Sequence, residues 1–151
     1  MIRASRLLAA AALVVGAPAP AQDAATLGWL QGNWQGSGTA FGRPSEARLA
    51  IRPALGNRFL ELSYRAGTFE GRAFYRHEGG GRWRATWFDN RGISFPIEAN
   101  EIERSLTADW GSTETERGRT IYRLRPDGRL EVTDQSGGRV FASHIMSRTA
   151  D

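Results

Sequence analysis

Between Trp34 and Arg148 apolar and charged residues alternate with a period of two, and no segment of that span follows a helical period. A strand sends successive side chains to opposite faces, so this alternation describes strands with one buried and one wet face. The runs are 34–41, 46–53, 58–65, 69–77, 82–89, 93–99, 102–110, 120–125, 130–134 and 139–148. In 46–53, Ala47, Leu49 and Ile51 oppose Glu46, Arg48 and Arg52; in 82–89, Trp83, Ala85 and Trp87 oppose Arg82, Arg84 and Thr86. Turn signals separate the runs, among them Leu55-Gly56-Asn57, Asn90-Arg91-Gly92, Pro126-Asp127-Gly128 and Ser136-Gly137-Gly138. Connections this short leave no room for crossover helices, which excludes a parallel sheet. Consecutive hairpins predict an all-β fold, an up-and-down antiparallel barrel of about 8–10 strands, because closure removes the unpaired edges that an open sheet must protect. Residues 26–31, with Leu27, Trp29 and Leu30, predict a short N-terminal helix stopped by Gly32.

The first residues carry a different pattern. Arg3 and Arg6 precede an apolar run at 7–15, and Ala19-Pro20-Ala21 is a small-residue cleavage site. That order predicts a cleavable signal peptide at 1–21, a mature domain at 22–151, and a periplasmic or secreted destination. The apolar run is too short for a stable membrane span. Removing 1–21 takes away two Arg and no acid, lowering the formal net charge from +4 to +2. So small a charge is no nucleic-acid footprint, and Arg82-Trp83-Arg84 reads as outward cations flanking an inward ring. The absence of Cys excludes disulfides and thiolate metal sites. A mature chain of 130 residues buries enough surface to fold without them.

Gly32-Asn33-Trp34, opening the first strand after a short turn, resembles the G-x-W signature of lipocalins. Its extension Trp34-Gln35-Gly36-Ser37-Gly38 is similar to the start of nitrobindin-like haem barrels. Segments 55–60, 86–89 and 128–132 resemble an uncharacterised family of secreted bacterial proteins with a lipocalin-like (calycin) barrel. The likeness spans most of 27–148. It implies that Trp34 plugs the closed end of the barrel, with Arg148 or Arg139 lying over its ring as a cation–π partner. The likeness to haem barrels implies His144 as an alternative axial ligand, although Thr39-Ala40-Phe41-Gly42 departs from the haem-family pattern. Val140, Ala142, His144 and Met146 share one face of the last strand, and Phe141 and Ile145 the other. Both are apolar, and the pattern does not choose which points inward.

Parity sets Leu60, Leu62, Tyr64, Trp83, Trp87, Leu106 and Tyr122 on inward faces, where they are expected to line an apolar cavity. Arg104 shares a face with Ile102, Leu106, Ala108 and Trp110, and turned inward it would pair with a ligand carboxylate. His77-Glu78 ends a strand beside three Gly and is expected on a solvated surface, its two side chains diverging. Glu101, Glu103, Glu114 and Glu116 are expected on wet rims. No nucleophile elbow, phosphate loop or metal-spaced His pair is present. The expected function is therefore non-enzymatic binding of a small apolar or amphipathic ligand, without a cofactor. Haem binding through His144, or an interaction module with a filled core, are the alternatives.

Overall fold

The structure, a computed structural model, describes residues 27–150. The expected signal peptide and Thr26, the first residue of the expected helix, lie outside the described residues. Residues 27–31 make a single turn, in which the N–H groups of Leu30 and Gln31 donate to the Leu27 carbonyl at 2.9 and 3.2 Å. Ten strands follow: β1 Gly32–Ala40, β2 Arg43–Ala54, β3 Phe59–Ala66, β4 Phe69–Gly79, β5 Arg82–Asp89, β6 Ser94–Ile102, β7 Ser105–Gly111, β8 Arg117–Leu124, β9 Leu130–Ser136 and β10 Arg139–Thr149. Each pairs antiparallel with the next, and β1 also pairs with β10, so the sheet closes into a barrel. This topology gathers the loops after β1, β3, β5, β7 and β9 at one end, the mouth. The N-terminal turn and the other loops form the base.

Alternation within each strand sorts the side chains. Ala47, Leu49 and Ile51 of β2, Trp83 and Ala85 of β5, and Phe95, Ile97 and Ala99 of β6 are buried inside. Their neighbours face out, and Arg65 with Glu70, Arg72 with Glu61, Arg84 with Glu98 and Arg119 with Asp109 form ion pairs on the outer wall. A lipid-facing barrel needs an apolar outer band, which this charged wall does not supply.

The seam between β1 and β10 explains the glycines after Trp34. A Cβ on Gly36 would stand 1.9 Å from the Ile145 carbonyl oxygen, and one on Gly38 would stand 1.9 Å from that of Ser143. The obstacle is backbone, so no rotamer change relieves it. Gly36→Ala is expected to lower stability by about 1–3 kcal/mol or more, as overpacking does. A melting temperature equal to that of the wild type would show that the seam is not this close.

Two local features depart from the alternation. β6 ends at Ile102 and β7 begins at Ser105, so Glu103 and Arg104 form a two-residue turn across the Ile102–Ser105 pair. Glu103 takes a left-handed φ of 54°. Arg104 is consequently exposed at the base and does not enter the barrel, correcting the expected inward Arg. In β10 the register shifts between Val140 and Ala142, and below this bulge Ala142, His144 and Met146 are buried inside.

Candidate functional site

The base of the barrel is closed by a tryptophan. Trp34 is 1% exposed, and its indole N–H donates to the Leu30 carbonyl at 2.9 Å. Arg148, its register partner across the seam, places its guanidinium 4.2 Å from the Trp34 ring centroid. The same guanidinium donates to the carbonyls of Gln31 and Trp29. It thus binds the N-terminal turn, the plug and the last strand in one contact. Arg139 lies at the other end of β10, by the mouth. A second tie uses Glu101, whose two carboxylate oxygens accept the indole N–H groups of Trp29 (2.9 Å) and Trp83 (3.3 Å). Glu101 is therefore a structural acceptor rather than part of a wet rim.

The lower barrel is packed. Leu60, Leu62, Trp83, Leu106 and Tyr122 all point inward and are buried. Leu60 lies beside Tyr75, Leu62 beside Ala73 and Leu106 beside Tyr122 in register. Such sealed side chains leave little surface for a ligand. Tyr64 and Trp87, the other two residues of the expected lining, sit higher and remain half-buried.

Those two belong to a chain of rings around the mouth. Tyr64 meets Phe69 edge-on at 6.2 Å, Phe69 stacks on Trp87 at 6.2 Å, and Trp87 stacks on Phe95 at 6.2 Å. Phe95 then stacks on Trp110 at 5.3 Å, and Trp110 meets Phe141 edge-on at 6.4 Å. Glycines make room for the largest rings: a Cβ on Gly71 would strike Trp87, and one on Gly118 would strike Trp110. The series ends outside the barrel with Phe41, which stacks on Phe141 at 5.2 Å and is 78% exposed. A groove of about 650 Å³ on the outer wall runs over the rim at Ser112 and Gly137 to reach Trp110.

A carboxylate lies among these rings. Asp134 of β9 has the parity of Leu130 and Val132 and points inward. Its Oδ1 accepts the Thr120 hydroxyl at 2.5 Å, and Thr120 Oγ1 in turn accepts the Trp110 indole N–H at 3.2 Å. Burial pushes the Asp134 pKa up from 3.8 to about 6, against the opposing effect of the Thr120 hydrogen bond. The Tyr75 and Tyr122 hydroxyls approach one another from opposite walls, and both, like that of Tyr64, are raised by burial first and by the Asp134 charge in addition. Asp134, Thr120 and Trp110 were not expected in the site. The Leu-x-Val-x-Asp spacing of 130–134 was the signal, since it puts an acid on an apolar face.

Compared with protein-family models and with curated proteins, the chain matches none.

The two histidines have different surroundings. His77 lies 4.8 Å from the Trp83 ring, with Nε2 buried and unpartnered, so it is not the solvated side chain expected from the adjacent glycines. Its neighbour Glu78 diverges to pair with Arg76 at 2.6 Å. His144 is 1% exposed and lies between Val132 and Gly38 in register, with neither ring nitrogen hydrogen-bonded. Burial lowers its pKa below the ordinary value, with the Glu46 charge opposing. An axial imidazole must present a nitrogen to a slot wide enough for a porphyrin. Both nitrogens of His144 are instead enclosed by packing, so the residues present do not fit haem.

Proposed function

We propose that this chain is a non-enzymatic, lipocalin-like barrel that binds a small apolar or amphipathic ligand at its mouth. The observation that carries the reading is the chain of rings from Tyr64 through Phe69, Trp87, Phe95 and Trp110 to Phe141, at the end opposite the Trp34 plug. Stacked rings that keep part of their surface open provide a flat apolar receptor without further ordering cost. The packed lower barrel then serves as the rigid wall that holds them.

Tryptophan emission gives the test, since Trp87 and Trp110 both stand in the proposed site. Titration with octan-1-ol is expected to shift the emission to saturation, and Trp110→Leu is expected to weaken that binding by about tenfold, the loss of one ring contact. Emission unchanged up to the solubility limit would leave a filled-core interaction module in place of a binding protein. Native mass spectrometry of the exported protein is the complementary measurement, because a retained ligand adds its own mass.

The reading includes export. The mature protein is expected to begin at Gln22 or within a few residues of it, following the Arg3, apolar run and Ala19-Pro20-Ala21 order. N-terminal sequencing that finds Met1 on the soluble protein would remove the periplasmic or secreted assignment and leave the binding claim standing.

A further inference from the structure

We propose that the mouth selects a ligand with a cationic head, an organic ammonium on an apolar body. This rests on the binding reading above and specifies its ligand class. Asp134 points into the barrel among the mouth rings, with one oxygen held by Thr120. Its other oxygen, Oδ2, accepts no hydrogen bond from a described residue and is not wholly sealed from solvent.

No cation answers this carboxylate. Asp134 takes part in none of the ion pairs among the described residues. Three Arg have inward parity in the described strands. Arg148 is spent on the Trp34 plug at the base, while Arg43 and Arg139, at the mouth ends of β2 and β10, are exposed and form no ion pair with Asp134. At the rim, Arg91 lies 5.5 Å from the Phe69 centroid and is held by Asp89 at 2.8 Å and Glu116 at 3.1 Å. The contrast with Asp89 is informative. That acid accepts the Trp87 indole N–H and is fully covered by Arg91, as a structural carboxylate is. Asp134 is likewise turned inward but has no counter-ion among the described residues.

The rings supply the apolar part of the site, with Trp87 and Trp110 both in the wall. A trialkylammonium head, which needs no directed hydrogen bond, would be met by this apolar wall and by one carboxylate. An anionic head would meet the same groups with the opposite sign. The earlier expectation of a ligand carboxylate depended on an inward Arg104, which the turn at Glu103 removes.

Three ligands with one eight-carbon chain separate the possibilities at pH 8: octyltrimethylammonium, octan-1-ol and octanoate, each titrated by tryptophan emission and calorimetry. The ammonium is expected to bind about tenfold or more tightly than the alcohol, a charge-assisted contact being worth that much, and octanoate the most weakly. Asp134→Asn is expected to remove the preference, bringing the ammonium to the affinity that the same variant shows for the alcohol. Octanoate binding as tightly as the ammonium, or an ammonium preference that survives Asp134→Asn, would overturn the inference. The wild-type comparison decides even if that variant fails to fold. If the alcohol binds with no ammonium preference, the selectivity alone is wrong; if none of the three binds, the binding function falls with it.

Discussion

Trp34→Ala is expected to destabilise the protein by about 3–5 kcal/mol in urea titrations, the range for truncating a large aromatic in a packed site. Three losses combine. The ring leaves a void at the base that β1 cannot collapse to fill, because the Gly36 and Gly38 seam already holds β1 hard against β10. The indole N–H no longer caps the Leu30 carbonyl. Arg148 loses the face it lies on and keeps only its bonds to Gln31 and Trp29. Trp34→Phe retains a ring under Arg148 and drops the N–H, so its cost is expected to be smaller, about 1–2 kcal/mol. A Trp34→Ala loss below about 1 kcal/mol would mean that the ring is solvated and is no plug. Ligand affinity at the mouth is expected to be unchanged in whatever fraction of the variant is folded, since the plug lies at the opposite end.

Most of the barrel was legible because its strands alternate cleanly. In β2, β3 and β5 the inward residues follow from parity alone, and each of the ten runs in the sequence corresponds to a strand. The errors fall where the backbone breaks the alternation without a compositional sign. The β6–β7 turn contains Glu and Arg instead of Gly, Asn or Pro, and Glu103 pays for its left-handed φ without the usual residue type. Reading through it as strand put Arg104 on an apolar face. In β10 a bulge between Val140 and Ala142 resets the phase near the strand start, which is why the pattern there left two inward faces open.

The site was harder to see than the fold because its parts come from distant segments. Parity places Trp87 and Trp110 inward one at a time. That they share a stacked series with Phe95 between them follows from the registers of β5 with β6 and β6 with β7. The depth of a side chain is equally hidden. Leu60 and Tyr64 have the same parity in β3, yet one is sealed and the other half-buried at the mouth. The inward carboxylate was the most accessible clue, since an acid two positions after Val132 breaks an apolar face.

Asp134 and His144 should give the protein two opposing pH dependences. For Asp134 the folded pKa, about 6, lies above its ordinary 3.8, so between those values the folded chain binds more protons than the unfolded one. Its contribution is then greatest below about pH 4 and is lost as the pH rises through about 6, a difference of about 3 kcal/mol for one such group. His144 acts the other way. Its folded pKa lies below the ordinary value of 6.5, so the folded chain binds fewer protons and its contribution, present above 6.5, is lost as the pH falls below it. Asp134→Asn removes the first dependence and keeps an acceptor for Thr120. The variant is therefore expected to be more stable than the wild type at pH 8 by up to about 3 kcal/mol, with the difference vanishing near pH 4. Its own stability should still fall on acidification below pH 6.5, exposing the His144 contribution that Asp134 offsets in the wild type. Urea titrations of both proteins from pH 4 to pH 8 provide the check. A constant difference across that range would mean that Asp134 keeps its ordinary affinity for protons, and that the carboxylate at the mouth is held in water instead of among the rings.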